Sequence, residues 1–158
     1  MTRAFVGIGA NLGDPVARVR EAITALAALP QTQLVAASSL YRSAPLGYTA
    51  QDDFVNAACL LETSLAPRAL LDRLRAIEEA AGRERPFRNA PRTLDLDLLL
   101  YGGDVIDEPG LAVPHPGLHE RAFALAPVVE LDPECVIPGR GPAREWLARA
   151  AGQRIEKL

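Results

Sequence analysis

Two strand–helix–strand units in succession predict an α+β fold. The arrangement is ferredoxin-like, βαββαβ, with an antiparallel sheet and its helices packed on one face, followed by a C-terminal extension. Three observations carry this. The chain opens on a short apolar run, Ala4 to Gly9. Two stretches begin at a proline, Pro15 and Pro67, and then place apolar residues at helical spacing. A later segment, Leu94 to Tyr101, alternates apolar and acidic residues before turning wholly apolar.

Each element has a local cause. Ala4 to Gly9 reads as a buried strand. Asp14 is a natural N-cap and Pro15 suits the first helical position, and Val16, Val19, Ile23 and Leu26 form the stripe that follows, with Pro30 as the stop. Residues 33–43 read as a second strand, 44–52 as a loop and 53–63 as a third strand. Pro67 opens the second helix, striped by Leu70, Leu71, Leu74, Ile77 and Ala81 and closed by Gly82. An arginine-rich loop spans 83–92, and Leu94 to Tyr101 is the fourth strand. Short helices are expected near 118–130 and 142–150, the second packing Trp146 and Leu147 against the core.

The 158 residues, 16.9 kDa, suit one domain over 1–158 that buries about two thirds of its unfolded surface. With 49% apolar and 23% charged residues, the composition excludes a mainly disordered chain and a coiled coil. No run approaches the roughly 20 apolar residues of a membrane span, so a cytoplasmic protein without a membrane partner is expected. A net charge of −3 gives no global basic field for nucleic acid. Cys59 and Cys135 each sit in apolar surroundings without metal or redox spacing, as reduced core residues do. Several motifs fail. Gly7-Ile8-Gly9-Ala10-Asn11-Leu12 lacks the third glycine of a dinucleotide fingerprint. His115 and His119 are separated by Pro116 and Gly117, which opposes a helical zinc pair.

The segment Pro91-Arg92-Thr93-Leu94-Asp95-Leu96-Asp97-Leu98 carries chemistry. In a strand, Asp95 and Asp97 project to one face, about 6.6 Å apart, while Leu94, Leu96 and Leu98 point to the other. Paired carboxylates are hard oxygen ligands suited to Mg²⁺ when substrate phosphates complete its shell. Arg83, Arg85, Arg88 and Arg92 directly precede the pair. Because the only lysine is Lys157, phosphate binding must rest on guanidinium forks. An anion-binding loop thus runs into a cation-binding strand.

These residues resemble the signature of the 6-hydroxymethyl-7,8-dihydropterin pyrophosphokinase family of folate biosynthesis. The likeness continues through Gly9-Ala10-Asn11-Leu12-Gly13, Ser39 to Gly47, Phe54-Val55-Asn56-Ala57-Ala58 and Val113-Pro114-His115, and covers residues 3 to 139. It implies a small, usually monomeric enzyme that moves the β,γ-diphosphate of ATP to the pterin hydroxymethyl group and releases AMP. Asp95 and Asp97 match the family's ligands to two Mg²⁺ ions. Arg83 and Arg92 match catalytic-loop arginines. Arg85, Arg92, Leu98, His115 and Arg121 match ATP-binding positions, and Glu78, near the end of the second helix, either approaches ATP or stands on an exposed helix face. Ser43, Pro45, Leu46, Phe54, Asn56 and Phe123 match the pterin site, the two aromatic rings as stacking partners and the carboxamide as reader of the pterin edge. Asn89 stands where some members carry tryptophan, and Pro116 where an aromatic often follows the histidine. Two other classes remain to be weighed against this: a non-catalytic small-molecule sensor and a different magnesium-dependent phosphoryl enzyme.

Overall fold

The computed structural model describes residues 1–45, 51–82 and 94–158. In chain order the elements are β1 (Thr2–Ala10), α1 (Pro15–Ala27), β2 (Thr32–Ala37), β3 (Tyr41–Ser43), β4 (Phe54–Thr63), α2 (Pro67–Ala80) and β5 (Asp95–Tyr101). They continue with β6 (Ile106–Glu108), β7 (Leu111–Val113), α3 (Ala122–Leu131), β8 (Val136–Ile137), β9 (Gly141–Pro142), α4 (Ala143–Arg149) and β10 (Ile155–Lys157). Both predicted helix starts are present. Asp14 caps α1, its Oδ1 accepting the Ala17 N–H at 3.2 Å, and Pro67 opens α2.

The main sheet is antiparallel and runs β10-β3-β4-β1-β5, with β2 also paired to β4. Its four principal strands therefore follow the ferredoxin-like order: fourth, first, third, second. The expected single strand over 33–43 is two strands. Ser38 interrupts it by bonding across to β4: its N–H donates to the Ala58 carbonyl and its Oγ accepts the Ala58 N–H, both at 2.9 Å. A side chain has replaced one rung of the ladder, and the chain turns there.

Each face of the sheet has its own core. Ala4, Val6, Ile8, Leu61, Leu96 and Leu98 meet Val19 and Leu26 of α1 and Leu70 and Leu74 of α2. On the opposite face, Phe5, Ala58, Leu60, Leu99 and Leu100 meet Leu125 and Val128 of α3 and the C-terminal residues Cys135, Ile137 and Ala143, with Trp146 and Leu147 packed alongside. A register shift between Phe5 and Val6 leaves Leu99 as the extra residue on β5, so Leu99 and Leu100 both enter this second core. Covering is partial. The C-terminal layer seals one half of the second face, and the other half carries Asp95, Asp97 and Asn56. Both cysteines are buried, and burial pushes the Cys59 thiol up to about 12 and the Cys135 thiol up to about 11.

Glu130 ties α3 to the far edge of the sheet. Its carboxylate accepts the Tyr41 hydroxyl at 2.5 Å and the Ser39 N–H and hydroxyl at 2.9 and 3.1 Å. Burial alone would raise its pKa, but these donors and Lys157 hold it below the ordinary 4.5. A depressed carboxylate pKa gives stability that is complete above the unfolded value and is lost as the pH falls through the folded one. Glu130→Gln should therefore cost about 1–2 kcal/mol at pH 7. The gap to the parent protein should close as denaturant titrations are repeated below pH 4.5.

Candidate active site

β5 is an edge strand, and its outer edge would expose unpaired backbone groups between the two aspartates. Side chains of α2 complete it. The Leu96 N–H donates to Glu78 Oε2 at 2.8 Å, and Arg75 Nη1 donates to the Leu96 carbonyl oxygen at 3.3 Å. The same Arg75 nitrogen donates to Glu78 Oε1 at 2.8 Å. A carboxylate and a guanidinium thus occupy the places of a neighbouring strand's acceptor and donor. The 3-residue separation of Arg75 and Glu78 puts both on one side of the helix. Further along the same edge, the His115 N–H donates to the Leu99 carbonyl at 2.9 Å.

Glu78 is expected near ATP; in the structure it faces the aspartate strand. Its side chain has 0% exposure, and both carboxylate oxygens serve the clamp. Burial pushes its carboxyl above the ordinary range, with the Leu96 N–H and Arg75 pulling it back. Arg75, which sequence reasoning missed, reaches the open side instead. Burial would lower its pKa, but Glu78, Asp97 and Asp95 hold the guanidinium firmly protonated.

Asp95 and Asp97 project together, both half-buried, away from the leucines that face α1 and α2. Register sets what lies beside them. Gly7 stands opposite Asp97, Gly9 opposite Asp95, and Gly9 also opposite Asn56 on β4. The row Asp95–Gly9–Asn56 therefore spans two strand spacings, about 10 Å. Gly9 keeps that floor low: a Cβ there would lie 3.3 Å from Asn56 Oδ1. These are the glycines of the failed dinucleotide fingerprint, and read at strand period they are floor positions.

Asn56 is buried, and its Nδ2 donates to Ser43 Oγ at 2.6 Å. Ser43 in turn pairs with Phe54, which shares the face of Asn56. Pro45 follows half-buried just past β3. Phe123 lies in the first turn of α3, and the Arg121 guanidinium sits 6.0 Å from its ring centre. Arg121 also lies over Gly117, where a Cβ would fall 2.6 Å from Cζ, so any side chain at 117 would displace it.

A cavity of about 230 Å³ opens beside Asp97, lined by Leu71, Arg75, Leu98, His115 and Pro116 and by Gly110 to Ala112. Leu98 has its side chain in the core and touches the cavity at its wall. The His115 ring accepts the Gly117 N–H on Nδ1 at 3.0 Å, which leaves the proton of the neutral ring on Nε2. Nε2 faces Asp97 Oδ1 at 3.7 Å. Burial, then Arg121, lowers the His115 pKa, against Asp95. His119 turns elsewhere, edge-on to Trp146 at 5.0 Å. Leu46, Arg83, Arg85, Arg88 and Arg92 lie outside the described residues.

The donor set fits Mg²⁺. Among the described residues no third His, Cys, Asp or Glu joins the two aspartates as a closed metal cage. Two hard carboxylates on an open face suit an ion that keeps water and completes its shell from phosphate.

A model of the 7,8-dihydro-6-hydroxymethylpterin-pyrophosphokinase family matches residues 5–133. The chain belongs to this family. The 2-amino-4-hydroxy-6-hydroxymethyldihydropteridine pyrophosphokinase of Pseudomonas aeruginosa is 46% identical over 156 residues, covering 99% of this chain and 96% of that protein. The protein of the same name from Haemophilus influenzae is 40% identical over 158 residues, covering 100% and 99%. The fold also matches a Plasmodium falciparum HPPK-DHPS structure with a TM-score of 0.75 at 14% identity. That match covers 94% of this chain and 44% of the longer one.

The clamp on the aspartate strand is open to direct test. Glu78→Ala should lower the unfolding free energy by about 3 kcal/mol in urea titration, because it strands Arg75 and the Leu96 N–H. Arg75→Ala keeps the Glu78–Leu96 bond and should cost less.

Proposed function

We propose that this chain transfers the β,γ-diphosphate of ATP to the hydroxymethyl group of 6-hydroxymethyl-7,8-dihydropterin, within folate biosynthesis, with two Mg²⁺ ions at Asp95 and Asp97. The reading takes residues 1–158 as one pterin pyrophosphokinase domain acting as a cytoplasmic monomer. Nucleic acid and membrane are not partners in it; no described helix is long and apolar enough to cross a bilayer.

One observation carries the proposal: a carboxylate pair and a carboxamide–hydroxyl–aromatic group share one face of one sheet, about 10 Å apart, with no side chain at Gly9 between them. That is room for a flat heterocycle whose substituent reaches toward the triphosphate. Phe54 and Phe123 stack on the two faces of the pterin. Asn56, with one N–H given to Ser43, still offers an N–H and its carbonyl oxygen to the pterin edge. Ser43, Pro45 and Leu46 line the pocket.

ATP extends into the cavity beside Asp97. Leu71 and Leu98 supply apolar wall, Arg75 and His115 supply donors, and Arg121 adds a guanidinium near His115. Bound Mg²⁺ would neutralise phosphate charge and draw electron density from the β-phosphorus. Asp95 and Asp97 hold the triphosphate through that charge. The pterin hydroxyl oxygen bonds to the β-phosphorus in line, the bond from that phosphorus to the α,β-bridging oxygen breaks, AMP leaves and the hydroxyl proton is released. Arg83 and Arg92 clamp the transferring oxygens, and Arg85 contacts the nucleotide. Positioning and charge stabilisation supply the rate.

Products decide between readings. ATP, Mg²⁺ and the pterin should give AMP and pterin diphosphate in equal amounts, with kcat reduced at least about a hundredfold in Asp97→Ala. ADP would mean ordinary γ-phosphoryl transfer. Product from ATP without pterin would mean a hydrolase, and pterin binding without turnover would mean a sensor.

A further inference from the structure

The family model matches residues 5–133, and the last residues of the chain contact β3, the residue before β4 and the start of α3. Gln153 uses both ends of its carboxamide. Oε1 accepts the Ala122 N–H at 2.9 Å, and Nε2 donates to the Glu120 carbonyl at 2.7 Å. It therefore brackets Arg121 and satisfies one of the first N–H groups of α3, a helix whose own N-cap residue makes no side-chain cap. Phe123 is the next residue. Arg154 Nη2 meets Asp53 Oδ2 at 2.7 Å, and Asp53 directly precedes Phe54. Ile155 then pairs with Ser43 and Lys157 with Tyr41 as β10 joins β3. Leu158 N–H closes on the Leu40 carbonyl at 2.9 Å.

We infer that the C-terminal segment 153–157 is a positioning strap for the pterin pocket. Gln153 and Arg154 set the separation of Phe123 on α3 from Phe54 on β4. The inference rests on the pterin assignment made above. The need for a strap follows from the packing. α3 is anchored to the sheet by Leu125 and Val128, beyond its first turn. Its first turn carries Phe123 beside the buried Ala122, has no side-chain N-cap of its own, and receives the Gln153 acceptor from the C-terminal segment. Stacking depends on ring separation, which the Gln153 bonds to the backbone of α3 and the Arg154 bond to Asp53 help to hold.

The energetics separate this role from general stability. The Arg154–Asp53 pair is exposed, at 70% and 32%, and such pairs contribute about 0–1 kcal/mol to folding. Its loss should leave the fold in place and register at the pocket.

The test is steady-state kinetics with ATP and pterin varied independently in Gln153→Ala, Arg154→Ala, Arg154→Lys and Asn56→Ala. The two strap truncations should raise KM for the pterin about three- to tenfold, the equivalent of one lost hydrogen bond. In Arg154→Ala, whose contact to Asp53 is remote from Arg121, KM for ATP should stay within about twofold of the parent, and Tm within about 4 °C. Arg154→Lys should restore most of the loss, because an ammonium still reaches Asp53. Unchanged pterin KM in both truncations, while Asn56→Ala raises it, would overturn the strap alone. Parallel changes in both KM values and Tm in Arg154→Ala would also overturn it, as the mark of a purely structural segment. If Asn56→Ala leaves the pterin KM untouched, the pterin assignment fails and takes the strap with it.

Discussion

The peptide of Leu96 is the point on which the site hangs. It lies between Asp95 and Asp97 on an edge strand, where no neighbouring strand fixes it from outside. Glu78 and Arg75 take that neighbour's place with an acceptor and a donor. Burying a carboxylate to do so is costly unless it is paired and hydrogen-bonded, and Glu78 is both. The result is a backbone held on both edges, by β1 within and by α2 without, so that two carboxylates emerge from it in a set direction. A strand held on one edge only would let the aspartates drift with every opening of the sheet margin.

Around that strand the sheet face is divided by side-chain size. At one end Phe5, Leu60, Leu99 and Leu100 support α3 and the C-terminal layer. At the other, Gly9 lies between Asp95 and Asn56, and Leu99 reaches over Gly7. The bulge at Leu99 marks the change from one to the other. Function and packing thus share a surface without competing for it. The C-terminal segment, by joining α3 to β3 and the start of β4, spans the boundary between the two halves.

Much of this was legible from local signals. Asp14-Pro15, Pro67 and Gly82 mark helix ends through capping and fixed backbone angles, and the structure has helices at those limits. The alternation of leucine and aspartate over 94–98 placed the carboxylates on one face. What escaped depends on partners distant in sequence. The break at Ser38 comes from Ala58, twenty residues away. The burial of Glu78 has a signal of its own: it continues the stripe of Leu70, Leu71 and Leu74 at helical spacing, an acidic residue on an apolar stripe signals a buried partner, and Arg75 three residues earlier is the available cation. Gly7 and Gly9 fail as a nucleotide loop and lie on the strand read over Ala4 to Gly9, where their spacing of two puts both on one face. Gln153 and Arg154 belong to a segment with no motif of its own, and only the folded chain shows what they touch.

The central claim is that one sheet face holds metal-bound triphosphate and pterin side by side. Crystals grown with Mn²⁺, a non-hydrolysable ATP analogue and the pterin would test it by anomalous scattering. The account predicts anomalous peaks at about 2.0–2.2 Å from carboxylate oxygens of Asp95 and Asp97, with the pterin stacked between Phe54 and Phe123 and its hydroxymethyl group turned toward the β-phosphate. Manganese bound away from both aspartates, or the pterin seated off the Asn56 end of the face, would contradict it.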